Sequence, residues 1–146
     1  MMKRFGLTAA VGLTALVMVA AVEAPASAKP KPGSAVNLHV SKALRKTLGD
    51  KFFAVQHPYH PKEKRSHVIG PKQVYYGEIV GATKAKTVYY AIGQTGFSDD
   101  PVSQQDGPHI WRKKGKGSWK YLSDSGGAIC DAGVPRKLVK VWHLHC

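Results

Sequence analysis

Two short stretches, "QVYYGEIVGA" at 73–82 and "TVYYAIGQT" at 87–95, constrain the fold most. Each is dense in β-branched and aromatic residues, and only "TKAK" separates them. A connection that short closes an antiparallel hairpin, because a parallel pair needs a crossover of a dozen residues or more. Side chains alternate along a strand, so one tyrosine of each pair, Tyr75 or Tyr76 and Tyr89 or Tyr90, faces inward and the other outward. "PHIWRK" and "SWKYLS" flank the glycine-containing "KGKG" and predict a second hairpin. Between the hairpins, "GFSDDPVSQQDG" reads as an acidic, turn-rich loop.

The remaining segments are less regular. "KPKPG" opens an extended, mobile leader, taken as 29–35. "SAVNLHVSKALRKTLG" predicts a helix capped by Ser34, with Val36, Val40, Leu44 and Leu48 on one face and Gly49 as its stop. "KFFAVQ" reads as a short strand, and "HPYHPKEKRSHVIGPK", residues 57–72, as a long basic loop. Near the C-terminus, Pro135 suits the first turn of a helix that turns Leu138, Val141 and Trp142 inward. Val139, Val141 and His143 also alternate as in a strand, although helix is the preferred reading. The expected architecture is α+β: an N-terminal helix, an antiparallel meander of four or five strands, and a short C-terminal helix tied by a disulfide.

The N-terminus predicts the compartment. Lys3 and Arg4 precede an uncharged apolar stretch from Phe5 to Val22, and Ala26, Ser27 and Ala28 form a small-residue cleavage site, the three parts of a secretory signal peptide over 1–28. Membrane contact is then expected only through that peptide during export, and the protein is expected to be secreted and extracellular. Residues 36–146 form a single domain, long enough to bury its own core. Removing Lys3, Arg4 and Glu23 from the 22 basic and 9 acidic side chains leaves 20 and 8, a net of +12. Such a charge favours an anionic partner, an extracellular polymer or a secreted or surface protein, or else serves solubility alone.

Both cysteines, Cys130 and Cys146, lie in the last 17 residues of the chain. In an exported protein a lone pair joins as a disulfide. A zinc set with His143 and His145 is the competing reading. In a strand His143 and His145 share a face and Cys146 points away, while in a helix His145 is the one misplaced, so either geometry misses a ligand. No metal site and no cofactor is expected.

Three constellations bear on chemistry. "SDSGG" at 123–127 is similar to the nucleophile motif of chymotrypsin-type serine proteases over Asp124, Ser125, Gly126 and Gly127. The leading glycine is replaced by Ser123, however, and the mature chain is too short for that family's two barrels. His57, His60, Glu63 and His67, with Lys64 and Arg65 among them, hold the acid, base and cations of a nuclease-like hydrolase, with His109 and Arg112 in reserve. Asp99, Asp100 and Asp106 fit no EF-hand spacing. The aromatics carry more: Tyr75, Tyr89, Trp111 and Trp119, with Arg112, Lys113 and Lys114 around them, make either an aromatic and cationic platform for a ligand or ordinary cross-strand packing.

From residue 74 onward the order "VYYGEIVGA", "YYAIGQTG", "DGPHIW", "GSWKYLSDSGG", then Cys130, "VP" and Trp142, resembles small secreted proteins of unknown function from filamentous Gram-positive bacteria. The resemblance implies export and a compact domain and lends no catalytic residue. The expected function is that of a secreted, basic, non-enzymatic binding domain for an anionic partner, a cell-wall polymer or a protein, with hydrolase inhibition as one form. The alternative is a small hydrolase built on the histidine-rich loop.

Overall fold

A computed structural model describes residues 29–146, so the expected signal peptide, 1–28, lies outside the described residues. Five antiparallel strands follow one another across a single sheet: β1 (Ala35–Asn37), β2 (Val68–Ile79), β3 (Val88–Phe97), β4 (His109–Lys114) and β5 (Lys120–Asp124). Two helices complete the α+β domain, α1 (Lys42–Gln56) between β1 and β2, and α2 (Arg136–Val141) after β5.

Both expected hairpins form. Tyr75 pairs with Ile92, Tyr76 with Ala91, and Glu78 with Tyr89, while Tyr90 pairs with Arg112 and Ala91 with Trp111 in the next ladder. Alternation then gives the sheet two apolar faces, each covered by one helix. Leu48 and Phe52 of α1 pack with Ala91, Phe97, Trp111 and Trp119 on one face, and Tyr76, Tyr89 and Tyr121 adjoin them. Leu138, Val139 and Trp142 of α2 pack with Tyr90, Ile92 and Ile110 on the other, joined by Ile129 and Val134. Gly77 makes the close approach of α2 possible, since a Cβ there would lie 2.7 Å from Leu138 Cδ2 and 3.2 Å from Trp142 Nε1.

The N-terminal helix expected over 34–49 is corrected in both bounds. Ser41, not Ser34, is the N-cap, its side chain accepting from the Leu44 N–H at 3.0 Å. The expected first turn instead pairs with the outer edge of β2, Ala35 with Ile79 and Asn37 with Gly77. The leader is likewise fixed before its expected end, Gly33 N–H donating to Val80 O at 2.7 Å. At the other end Gly49 does not stop α1. It is buried, with Arg65 Nη2 2.8 Å from where a Cβ would sit, so the glycine serves a close crossing by the following loop. "KFFAVQ" is therefore the end of α1 and not a strand. Phe52 continues the four-residue repeat of Leu44 and Leu48, and Pro58 follows the C-cap His57.

The basic loop is also shorter than expected, because β2 begins at Val68. Its first half carries Gly70 and Pro71, which weaken a regular strand, and it is irregular there: the register shifts between Ile69 and Lys72 and again between Lys72 and Tyr75. The C-terminal segment is helical, as preferred. Cys130 and Cys146 form a disulfide with their Cα atoms 5.5 Å apart, which removes the zinc reading of the tail.

Candidate functional sites at the two ends of the sheet

The connections of a meander alternate between the two ends of its sheet, and this chain sorts its charges by end. The β2–β3 and β4–β5 turns lie together: Gly115 N–H donates to Thr87 O at 2.8 Å, and a Cβ on Gly115 would sit 2.9 Å from Ala85 O. Lys84, Lys86, Arg112, Lys113, Lys114, Lys116 and Lys120 occupy this end; Glu78, level with Tyr89 and Lys113, is the acid beside them, and no Asp or Glu lies between Glu78 and Asp99 or between Asp106 and Asp124. Among the described residues no ion pair engages any of these seven cations. A hollow of about 340 Å³ beside β4 and β5 is lined by Arg112, Lys113, Lys114 and Lys120 with Ser118 and Leu122.

The expected platform residues divide between the faces. Tyr89, Lys113 and Trp119 come together: Lys113 Nζ stands 4.5 Å from the Tyr89 ring centre and 5.3 Å from that of Trp119, a cation–π cradle that fixes one ammonium. Burial, then the carboxylate of Glu78, pushes the Tyr89 hydroxyl above its ordinary value, so it stays neutral. Arg112 projects to the opposite face, over Tyr90 at 5.8 Å. Tyr75 is also on that face, 38% exposed and 6.0 Å from Trp142. Trp111 is fully buried beneath α1, packed with Leu48 and Phe52.

The opposite end gathers Glu63, Asp99, Asp100, Asp106 and Asp124, with β3, ten residues long, between the two ends, a separation of roughly 30 Å. Here the histidine-rich segment is dispersed into separate contacts and not pooled in one cleft. His57 stacks on Phe53 at 4.8 Å. His60 packs on Phe97 and holds Nδ1 3.6 Å from Asp100 Oδ2. His67 Nδ1 is 2.8 Å from Glu63 Oε2 and 3.4 Å from Asp99 Oδ2. Arg65 turns away to Asp50 at 2.7 Å. In the protease-like segment, Ser125 Oγ accepts from the Gly127 N–H at 3.2 Å, and no histidine bonds to it among the described residues.

His109, which the sequence held only in reserve, joins Tyr121 and Gln56 in a buried group at the acidic end, where it pairs with Asp124 in the ladder. His109 is 2% exposed, under Phe52 and beside Trp111, and Tyr121 Oη lies 2.8 Å from its Nδ1. Gln56 Nε2 donates to that oxygen at 3.4 Å, and burial pushes the Tyr121 hydroxyl up to about 12. The hydroxyl therefore keeps its proton and shares a hydrogen bond with Nδ1, while Nε2 is buried with no protein partner. Burial holds the imidazole below its ordinary value against the opposing pull of Asp124 and Asp106. The linkage sign follows. The unfolded chain takes up a proton near pH 6.5 that the folded chain refuses, so this contribution to stability is whole above that pH and declines as pH falls toward the folded value. His109→Gln, which keeps a hydrogen-bonding partner for Tyr121, is expected to flatten the acid limb below about pH 6.5 in urea-unfolding midpoints. An unchanged limb would assign it to other groups.

No protein-family model, curated protein or solved structure matches this chain.

Proposed function

We propose that this is a basic, non-enzymatic binding domain of the extracellular space that holds an anionic polymer at the paired-turn end of its sheet. The observation that carries the reading is the set of seven cations on adjoining turns and strand ends, none of them in an ion pair among the described residues. Cations set so close repel one another, and an anion relieves that cost. A polymer relieves it at several points at once and releases its condensed counterions on binding. Tyr89 and Trp119 hold the Lys113 ammonium at the base of the patch. The roughly 30 Å to the acidic end limits repulsion of the ligand from that side. The Cys130–Cys146 disulfide and the signal-like first 28 residues support an extracellular setting.

Binding of poly(glycerol phosphate), a phosphodiester wall-type polymer, tests this between about 50 and 300 mM salt. Affinity is expected to fall steeply with salt. The Lys114→Gln/Lys116→Gln/Lys120→Gln variant should bind at least tenfold more weakly at the low end, and its log–log salt slope should be shallower by roughly 2 to 3. A matched triple replacement at Lys42, Lys51 and Lys62 should change neither. Salt-independent affinity, or equal losses in the two triple variants, would remove the basic end as the site.

A further inference from the structure

We propose that Glu63, His67 and Asp99 form a binding site for a divalent transition-metal cation, with zinc as the ion that best matches their donor set. Their ligand atoms all lie within 4.8 Å of one another, and they come from two segments far apart in sequence. Glu63 precedes and His67 ends the short 3-10 turn Arg65–His67, and Asp99 follows the end of β3. The two segments are locked together by the Ser98 N–H, which donates to His67 O at 2.7 Å. Around a tetrahedral zinc with bonds of about 2.0–2.1 Å, ligand atoms stand roughly 3.3 Å apart. His67 Nδ1 and Asp99 Oδ2 are already at 3.4 Å. His67 Nδ1 and Glu63 Oε2, at 2.8 Å, need to open by about half an ångström.

The electrostatics of the segment provide a second argument. Although the chain carries a net +13, the Glu63 side chain is only 13% exposed and pairs with no lysine or arginine among the described residues. The nearby cations are directed elsewhere: Arg65 is committed to Asp50, and Lys62 and Lys64 are exposed and enter no ion pair. The Glu63 carboxylate thus faces an imidazole and a second carboxylate with no lysine or arginine paired to it, and a bound dication would balance the two carboxylates together. The nitrogen donor decides the class of ion. Calcium and magnesium take oxygen ligands, whereas imidazole with carboxylates suits zinc and its transition-metal neighbours. Three protein ligands leave a coordination position open.

The test is calorimetric titration of zinc into the purified, chelator-treated protein with its disulfide intact, with calcium and magnesium in parallel. About one zinc per chain with micromolar affinity is expected, and at least tenfold selectivity over calcium and magnesium. Asp99→Asn, at a side chain 60% exposed and so safe for the fold, should weaken zinc binding at least tenfold, and His67→Gln should abolish it. His143→Ala/His145→Ala, which removes the imidazoles of the tail, should leave it unchanged. Absence of zinc binding, equal affinity for calcium, undiminished binding by Asp99→Asn, or loss on altering the tail histidines would each overturn the proposal.

Discussion

Replacing Trp111 with alanine is expected to cost about 3–5 kcal/mol, a large share of the roughly 5–15 kcal/mol that holds a domain of this size folded. Trp111 is fully buried on β4, paired with Ala91 on one side and Tyr121 on the other. Its ring meets Tyr121 nearly edge-on at 5.8 Å and has His109 at 6.3 Å. Strand neighbours and α1 fix this layer on every side, so the void left by truncation cannot close without moving the sheet or the helix. Trp111→Phe separates volume from polarity. The indole Nε1 is buried without a partner, so phenylalanine removes an unsatisfied donor while keeping most of the ring, and it should cost well under half as much. Urea-unfolding midpoints of the two variants measure both effects. A loss below about 1 kcal/mol for Trp111→Ala would mean that the layer beneath α1 is not the core described here.

Where the sequence can be read for this fold depends on how local the determining contact is. Both central hairpins were legible, because dense β-formers with short polar connections leave few other arrangements. The disulfide was legible from two cysteines behind an export-type N-terminus, and the final helix from Pro135 and the apolar spacing after it, although the alternation of Val139, Val141 and His143 also allowed a strand. The start of α1 was not: Val36, Val40, Leu44 and Leu48 repeat at a helical interval, yet the first of these residues lies in the strand paired to the edge of β2, a contact some forty residues away along the chain. Gly49 was misread for a similar reason. A glycine that ends a helix and one that admits a crossing segment look the same until the Arg65 side chain is placed. For the aromatic pairs, alternation predicted one tyrosine to each face, but the register that pairs Tyr75 with Ile92 and Glu78 with Tyr89 sets Tyr75 and Tyr89 on opposite sides, and α1 encloses Trp111. The basic end was half visible in "WRKKGKGSWK". Lys84 and Lys86 join it only because the two turns lie side by side. The approach of Asp99 to His67 likewise depends on where β3 ends against the start of β2, which no local pattern encodes.

Opening the Cys130–Cys146 bond is expected to lower stability by about 3 kcal/mol, the value for a loop of this length in the chain-entropy picture. The bond spans a sequence separation of 16 and encloses all of α2. Most of the helix's own hold on the sheet is apolar: Leu138, Val139 and Trp142 are buried against Tyr90, Ile92 and Ile110, and Trp142 Nε1 donates to Tyr76 O at 3.4 Å. That packing does not depend on the sulfurs, so the native fold should survive reduction while the unfolded chain gains the freedom that the cross-link denied it. The expected result is a lower urea midpoint for the Cys130→Ala/Cys146→Ala protein with far-UV and near-UV spectra unchanged under native conditions. Any rise in the m-value would report a more expanded unfolded state. If native near-UV signal were lost as well, α2 would depend on the bond for its docking, and the apolar contacts across Gly77 would be too weak to hold the helix by themselves. A midpoint shift worth less than about 1 kcal/mol would point instead to an unfolded state in which the last 17 residues already keep their ends close, since a cross-link stabilises only by the freedom it removes.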